Sequence, residues 1–357
     1  MLNSLSGFVY AFLALSFMVF FHEFGHFIAA RIFKVKVEVF SIGFGRKIFK
    51  KVWGNTEYCI SAIPLGGYVQ MKGQNDFDPN GRSSDIDSYN TKAPWKRIII
   101  LFAGPFANFF LAFLLYVVIA NIGIPSLVPQ IGGLLEDSAA KEAGLQINDT
   151  IKAINGMEIK VWQDIKKAVN KNSGEIELFF LRDGVLLNTK LTPKILESKN
   201  IFGETVQERF IGIQPSNAIF SARYDGLESV NYASEELAKA SILIFKILQK
   251  LITGDASPKE LGGIIAVVDM SGEIAQAGFI VFLSFIALIS INLGVVNLLP
   301  IPALDGGHII FNLYEIIFRK APNEKAFYYL TLAGWTLLIL LFAFTVYNDI
   351  ARILSGK

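Results

Sequence analysis

Four long apolar segments limit what this chain can fold into. They cover residues 5–30, 98–135, 274–304 and 326–348, and only the first contains a charged side chain or a histidine. Each segment is long enough for a helix across the hydrocarbon core of a bilayer, which needs about 20 residues. With 52% hydrophobic and only 18% charged residues, the chain is predicted to be an α-helical membrane protein. The formal net charge of +2 is too small to indicate nucleic acid as a partner.

The apolar segments also predict the domain organisation. The predicted transmembrane helices, about four in number, cover residues 5–30, 98–121, 277–299 and 326–348. The predicted domains are an N-terminal membrane half at 1–122, an extracytoplasmic domain at 123–216, and a C-terminal part at 217–357 that starts with an amphipathic connector. The middle domain mixes short strands with two helix-like segments, which indicates an α+β fold.

The distribution of basic residues predicts the orientation in the membrane. Twelve Lys or Arg lie in residues 31–97, and none precedes the first apolar segment. This bias places loop 31–97 in the cytoplasm and region 123–275 outside. Residues near Asp76 are therefore expected inside and residues near Asn172 outside. The first segment is interpreted as a retained helix rather than a signal peptide, because its N-terminal flank is uncharged and no small-residue cleavage site follows.

The cytoplasmic loop contains a predicted β element. Residues 35–73 alternate apolar and polar side chains and are interrupted by Gly54 and Asn55, which is typical of a hairpin. A plain cytoplasmic hairpin and a membrane-associated sheet both fit this pattern. The polar stretch GQNDFDPNGRSSDIDSYN that follows predicts a flexible loop.

The motif HEFGH, residues 22–26, ends the first apolar segment. On a helix, His22 and His26 lie one turn apart on one face, so their two imidazoles can bind one metal ion. Glu23 lies beside them and can act as a general base on water. Zinc suits two nitrogen ligands plus a carboxylate and keeps a fourth position open. The alternative is that the histidines bind each other or backbone groups in a helix bundle, but ionisable groups at membrane depth by default indicate a functional site.

A third protein ligand is expected from NLLPIPALDGGHII, residues 297–310. Pro300 and Pro302 interrupt any helix there, and broken backbone at membrane depth is tolerated where it lines a cavity. Asp305 follows the break and, in the four-span topology, returns to the level of the two histidines. Two alternatives stay open. Asp305 can simply cap the next helix, or His308 can be the third ligand, since residues three apart share a helix face.

HEFGH together with NLLPIPALDGG resembles the site-2 protease family of intramembrane zinc metalloproteases, in particular the bacterial regulator-of-sigma-E protease type. The stretches SIGFG, IPLGGYVQM, FAGPFANF and YNDIARIL are also similar to that family. The resemblance implies a Zn²⁺ site and a catalytic pair, with these residues: His22, His26 and Asp305 as metal ligands, Glu23 to activate water, and Asn297 to hold the substrate or stabilise the tetrahedral intermediate. It also implies that the β element pairs with an unwound substrate helix.

The outer region resembles a PDZ domain over residues 132–159, although Asn148 stands where that family usually has glycine. Such a domain can bind a peptide or chain terminus, or can exclude bulky substrates. The resemblance implies a multi-pass protease of the bacterial cytoplasmic (inner) membrane that cuts a single-span protein near the cytoplasmic face during regulated intramembrane proteolysis. An anti-sigma-factor-like protein and a remnant signal peptide are the expected substrate classes. The alternative is a non-catalytic PDZ-bearing membrane scaffold, which would not need Glu23.

Overall fold

The chain forms two compact units. The computed structural model describes residues 2–74, 83–200, 203–258 and 261–355. Residues 75–82, which include Asp76 of the predicted cytoplasmic loop, lie outside the described residues. One unit, here called the membrane unit, comprises Met1–Ile119 and Leu227–Lys357, and the other, the inserted domain, comprises Ala120–Gly226.

The membrane unit is mostly helical and contains one β hairpin. Its elements are α1 (Leu2–Ile32), β1 (Val37–Trp53), β2 (Thr56–Met71), a 3-10 turn (Tyr89–Thr91), α2 (Pro94–Ile122), α5 (Leu227–Thr253), α6 (Ile264–Ala277), α7 (Phe279–Asn297), α8 (Asp305–Phe318) and α9 (Glu324–Ser355). Within the described ranges, four helices are long and apolar enough to cross a membrane, namely α1, α2, α7 and α9. The four predicted apolar helices are therefore confirmed.

Helices α1 and α2 approach each other closely at one glycine. A Cβ atom on Gly25 would lie 2.1 Å from the carbonyl oxygen of Ala103 and 2.8 Å from the Cβ of Ala107. Only glycine permits this backbone separation, because any larger side chain would push the helices apart. Met18 of α1 and Ile100 of α2 are completely buried nearby. The pair therefore forms a rigid base for the side chains of α1.

The predicted hairpin is confirmed and is longer than an average strand pair. β1 and β2 are antiparallel, and Trp53 pairs with Thr56 around a two-residue turn in which Gly54 has φ 62°. The inner half is buried, with Val37 at 1% exposure, whereas Trp53 at the tip is 76% exposed. The pairing is irregular around Phe44, where the register between β1 and β2 shifts, as it does at a β-bulge.

The described part of the predicted flexible loop is bonded to the end of β2. The Nζ atom of Lys72 lies 2.7 Å from a carboxylate oxygen of Asp85 and 2.8 Å from one of Asp87. These two carboxylates raise the pKa of the Lys72 amine. The backbone N–H of Tyr89 also donates to the Lys72 carbonyl at 2.8 Å. These contacts connect residues 85–89, in the described part of the predicted loop, to the end of β2.

Helix α6 was not predicted from the sequence. It ends at Gly278, whose φ of 127° separates it from α7. The carboxylate of Asp349, in α9, accepts hydrogen bonds from the backbone N–H groups of Gly263, Ile265 and Ala266 at 2.9–3.1 Å. These are the unpaired donors at the start of α6, so a residue distant in sequence caps the helix.

The inserted domain is a small α+β unit. Its elements are β3 (Ile124–Leu127), β4 (Ile131–Leu134), α3 (Ala139–Glu142), β5 (Thr150–Ile154), β6 (Met157–Glu158), α4 (Trp162–Lys171), β7 (Ile176–Arg182), β8 (Val185–Leu191), β9 (Lys194–Lys199), β10 (Thr205–Phe210), β11 (Ile213–Pro215) and β12 (Ile219–Ala222). Strands β6-β5-β7-β8 form the largest sheet. β12, which pairs with β3, lies after residue 216. The unit, Ala120–Gly226, therefore extends beyond the predicted limits of 123–216 at both ends.

Two neighbouring residues stabilise a turn of the inserted domain. Asp149 is 1% exposed and accepts two hydrogen bonds of 2.7 Å from Arg182, whose pKa it raises. Asn148 has φ 75°, in the left-handed region that glycine favours. Asparagine tolerates this region better than most residues, which explains how it can replace a glycine here.

Candidate active site

Helix α1 brings two histidines together at one turn's spacing. The Nε2 atoms of His22 and His26 lie 3.2 Å apart, and the two residues are only 8% and 6% exposed. Positions four apart on a helix share a face, so this juxtaposition follows from the sequence spacing alone.

The break between α7 and α8 delivers the carboxylate. Asp305 Oδ2 lies 3.2 Å from His22 Nε2 and 3.4 Å from His26 Nε2. The break is tightly folded, since a Cβ on Gly306 or Gly307 would lie 2.4 Å or less from a backbone carbonyl oxygen. The N-cap position of α8 is Leu304, with no side-chain cap hydrogen bond. Asp305 therefore does not cap α8, which was the first of the two alternatives for this residue.

The three candidate ligand atoms have the spacing that a zinc site needs. Ligand atoms about 2.05 Å from a tetrahedral ion lie about 3.3 Å from one another. The three separations here are 3.2, 3.2 and 3.4 Å. Among the described His, Cys, Asp and Glu residues, these three form the group that could hold a metal ion. Two imidazoles and one carboxylate occupy one face of a tetrahedron and leave its fourth corner open.

Helix α2 contacts the two histidines on the side opposite Asp305. His26 Nδ1 donates to the backbone carbonyl of Ile100 at 2.8 Å, and Nδ2 of Asn108 lies 3.1 Å from His22 Nδ1. Between them, a Cβ atom on Gly104 would lie 2.2 Å from His26 Nε2. None of these contacts was predicted. The sequence signal that could have revealed Asn108 is an amide in the middle of an apolar segment, which is costly in a membrane unless it has a partner.

Glu23 and Asn297 line the same cavity as the ligands. The cavity has a volume of about 200 Å³, and its walls come from α1, β2, α2 and the α7–α8 break. The lining residues are His22, Glu23, His26, Tyr68, Val69, Met71, Gln74, Leu101, Asn297, Ala303, Leu304 and Asp305. All five site residues predicted from the sequence therefore border one space, together with the end of strand β2.

Comparison with known proteins identifies the family. The model of Peptidase family M50 matches residues 10–341 of the chain. The chain belongs to peptidase family M50. This M50 peptidase is 48% identical over 343 residues to a Campylobacter jejuni protein provisionally named a zinc metalloprotease. The matched region covers 96% of the chain and 93% of that relative. It is 30% identical over 414 residues to the zinc metalloprotease RasP of Bacillus licheniformis, covering 94% of the chain and 96% of RasP.

Solved structures are similar to a short part of the M50 peptidase. One example is the PDZ domain of the SdrC-like protein from Listeria monocytogenes, with 16% identity and a TM-score of 0.19. The similarity covers 24% of the chain and 84% of that domain.

His308 of the M50 peptidase lies among aromatic rings. Its ring centroid is 5.6 Å from that of Phe327 and 6.1 Å from that of Phe311. Its backbone carbonyl accepts a hydrogen bond of 2.8 Å from Asn312. The converging ligand atoms are those of His22, His26 and Asp305, so the geometry favours the carboxylate over His308 as the third ligand.

Proposed function

We propose that this chain is a zinc metalloprotease that cuts a single-span membrane protein within the bilayer, close to the cytoplasmic face. The observation that carries the proposal is the triangle of ligand atoms with tetrahedral spacing at the end of an apolar helix, with Glu23 beside it. Membership of a peptidase family and relatives named zinc metalloproteases support the same chemistry.

The proposed roles follow from the donor and acceptor groups around the cavity. His22, His26 and Asp305 hold zinc, which when bound supplies Lewis-acid activation of water and of the scissile carbonyl. The Glu23 carboxylate takes a proton from the attacking water and later passes it to the nitrogen of the leaving amine. The side-chain amide of Asn297 donates a hydrogen bond to the carbonyl oxygen, where negative charge develops in the transition state.

The β hairpin supports a way of presenting the substrate. A helix hides its backbone groups, so a transmembrane substrate must unwind before its peptide bonds can be reached. Tyr68, Val69 and Met71 of β2 line the catalytic cavity, so an extended chain beside β2 would lie next to Glu23. Strand addition would satisfy the backbone groups that unwinding exposes. The position of β2 beside the catalytic cavity, together with the need to satisfy the substrate's backbone groups, thus favours a membrane-associated sheet over a plain cytoplasmic hairpin.

The proposed location is the bacterial cytoplasmic membrane, with several spans. The excess of Lys and Arg in residues 31–97 favours a cytoplasmic hairpin and an extracytoplasmic inserted domain. We assign a PDZ-like role to that domain, either binding a chain terminus or excluding substrates with bulky outer parts. A substrate already shortened on the outer side would pass such a filter, as an anti-sigma-factor-like protein or a remnant signal peptide would.

A purified-component assay tests the proposal. The full chain in detergent is mixed with a fluorescent single-span substrate, alone and after treatment with a zinc chelator. Glu23→Gln should abolish cleavage, because the amide cannot accept the proton. Glu38→Gln, at a partly exposed position of β1 that does not line the cavity, serves as the matched control. We expect cleavage by wild type and by Glu38→Gln only. Equal cleavage by Glu23→Gln would remove the proposed mechanism, and absence of cleavage with bound zinc would favour the scaffold alternative.

A further inference from the structure

Helix α2 presents a regular row of groups to the two histidines. Ile100, Gly104 and Asn108 are four residues apart, so they lie on one face of the helix. The carbonyl of Ile100 meets His26 Nδ1, the amide of Asn108 meets His22 Nδ1, and Gly104 leaves room for the His26 ring between them. Both histidines are thus contacted by α2 at the nitrogen opposite the one that faces Asp305.

The hydrogen bond between His26 and Ile100 has only one possible donor. A backbone carbonyl can only accept, so His26 must carry its proton on Nδ1. A neutral imidazole has one N–H and one lone pair, so Nε2 is then free to bind a metal ion. The Ile100 carbonyl therefore fixes both the tautomer and the ring orientation that a metal ligand needs.

The contact to His22 can serve either tautomer. Asn108 is completely buried, and its Nδ2 atom faces His22 Nδ1 at 3.1 Å while its Oδ1 is buried without a hydrogen-bond partner. In this orientation the amide donates, so the His22 proton lies on Nε2 and points towards Asp305. A half-turn of the amide places Oδ1 at the same position, and the two orientations fill nearly the same space. The amide then accepts from Nδ1–H and leaves Nε2 free.

We propose that Asn108 is a positioning residue for the metal, and that its amide oxygen accepts the Nδ1–H of His22 when zinc is bound. This inference rests on the proposed function, because it assigns His22 Nε2 to the metal. Asn108 would then fix the tautomer and ring orientation of His22, as the Ile100 carbonyl does for His26. Ser290 of α7 donates to the backbone carbonyl of Asn108 at 2.9 Å, which holds this turn of α2 in place.

Zinc affinity in the absence of substrate tests the role directly. Asn108→Leu keeps a similar volume but has no acceptor, so zinc binding measured against a competing chelator should weaken by about 10–100-fold. Asn108→Asp keeps the acceptor and should bind zinc at least as tightly as wild type. Asn312→Leu removes another buried asparagine of the membrane unit, whose bond goes to a backbone carbonyl, and should leave the affinity unchanged. Cobalt-substituted Asn108→Leu should also show an altered visible absorption spectrum.

The outcomes separate this inference from the proposed function. If wild type binds no zinc, the proposed function fails. If wild type binds zinc and Asn108→Leu binds it equally tightly, only the role of Asn108 is overturned. The role is also overturned if Asn312→Leu weakens binding as much as Asn108→Leu, since the effect would then be general destabilisation. If Asn108→Leu does not fold, Asn108→Asp decides alone: weaker zinc binding than wild type overturns the role.

Discussion

Replacing Gly104 with alanine should remove the metal while leaving the helix intact. The added Cβ would lie 2.2 Å from Nε2 of His26 and 2.5 Å from its Cε1. Non-bonded carbon and nitrogen atoms need about 3.4 Å, so the ring must move by about 1.2 Å. Metal–ligand distances tolerate only about 0.2 Å. The required displacement is therefore several times larger than the site can absorb.

The ring cannot move that far without losing a contact. His26 Nδ1 is held by the Ile100 carbonyl at 2.8 Å, and α2 itself is fixed against Gly25 of α1. Alanine is a better helix former than glycine by about 1 kcal/mol, so α2 should form at least as well. We expect cleavage to fall by at least about 100-fold, since a 1 Å misplacement alone costs about that much in rate. Zinc affinity should fall as well, because the displacement exceeds the tolerance of the metal–ligand distance.

The assay compares Gly104→Ala with a glycine substitution elsewhere in the membrane unit. Gly294→Ala in α7 would place a Cβ 3.2 Å from the Phe109 ring and from the Pro105 carbonyl, a tight contact away from the ligands. Bound zinc is measured by elemental analysis after purification, cleavage on the single-span substrate, and folding by size-exclusion profile and circular dichroism. Full zinc occupancy and normal cleavage in folded Gly104→Ala would refute the steric argument.

Three further predictions concern the ligand set, the topology and the cap of α6. Asp305→Ala should lose bound zinc and cleavage, whereas His308→Ala should keep zinc and lose only part of the rate; elemental analysis showing the opposite pattern would make His308 the ligand. In a cysteine-free background, an impermeant thiol reagent added to intact cells should label a cysteine at Asn172 but not one at Lys92, and the reverse pattern would invert the topology. Asp349→Ala should destabilise the membrane unit by about 1–2 kcal/mol, because three backbone donors at the start of α6 lose their acceptor; an unchanged midpoint of thermal unfolding would contradict this.

The local parts of the site could be predicted from the sequence because short-range spacing determines them. His22 and His26 share a helix face whatever surrounds them, and the prolines before Asp305 interrupt a helix in any context. The hairpin turn at Gly54 was likewise readable from local residue types. That Asp305 would reach the histidines needed the four-span topology in addition, since the segments lie far apart in the chain.

The parts that could not be predicted depend on how helices pack against each other. Asn108 lies 86 residues from His22, and nothing near it in the sequence indicates a histidine partner. In the sequence, Gly104 is an ordinary small residue, and its importance is visible only once α1 is packed against α2. Helix α6 was missed because its cap comes from Asp349, so its start carries no local signal. Sequence periodicity describes one helix or strand at a time. Each of these three features depends on contacts between two helices.

The positions of the three proposed ligands in the chain imply that zinc would also affect the lifetime of the protein. His26 and Asp305 are 305 − 26 = 279 positions apart, so one ion would join the N-terminal and C-terminal halves of the membrane unit. An ion that binds only the folded chain adds about 4.1 kcal/mol of stability at a free concentration 1,000 times its dissociation constant. The thermal unfolding midpoint should therefore rise with the logarithm of buffered free zinc. A cell short of zinc would then lose the protein through unfolding and degradation, in addition to losing its activity.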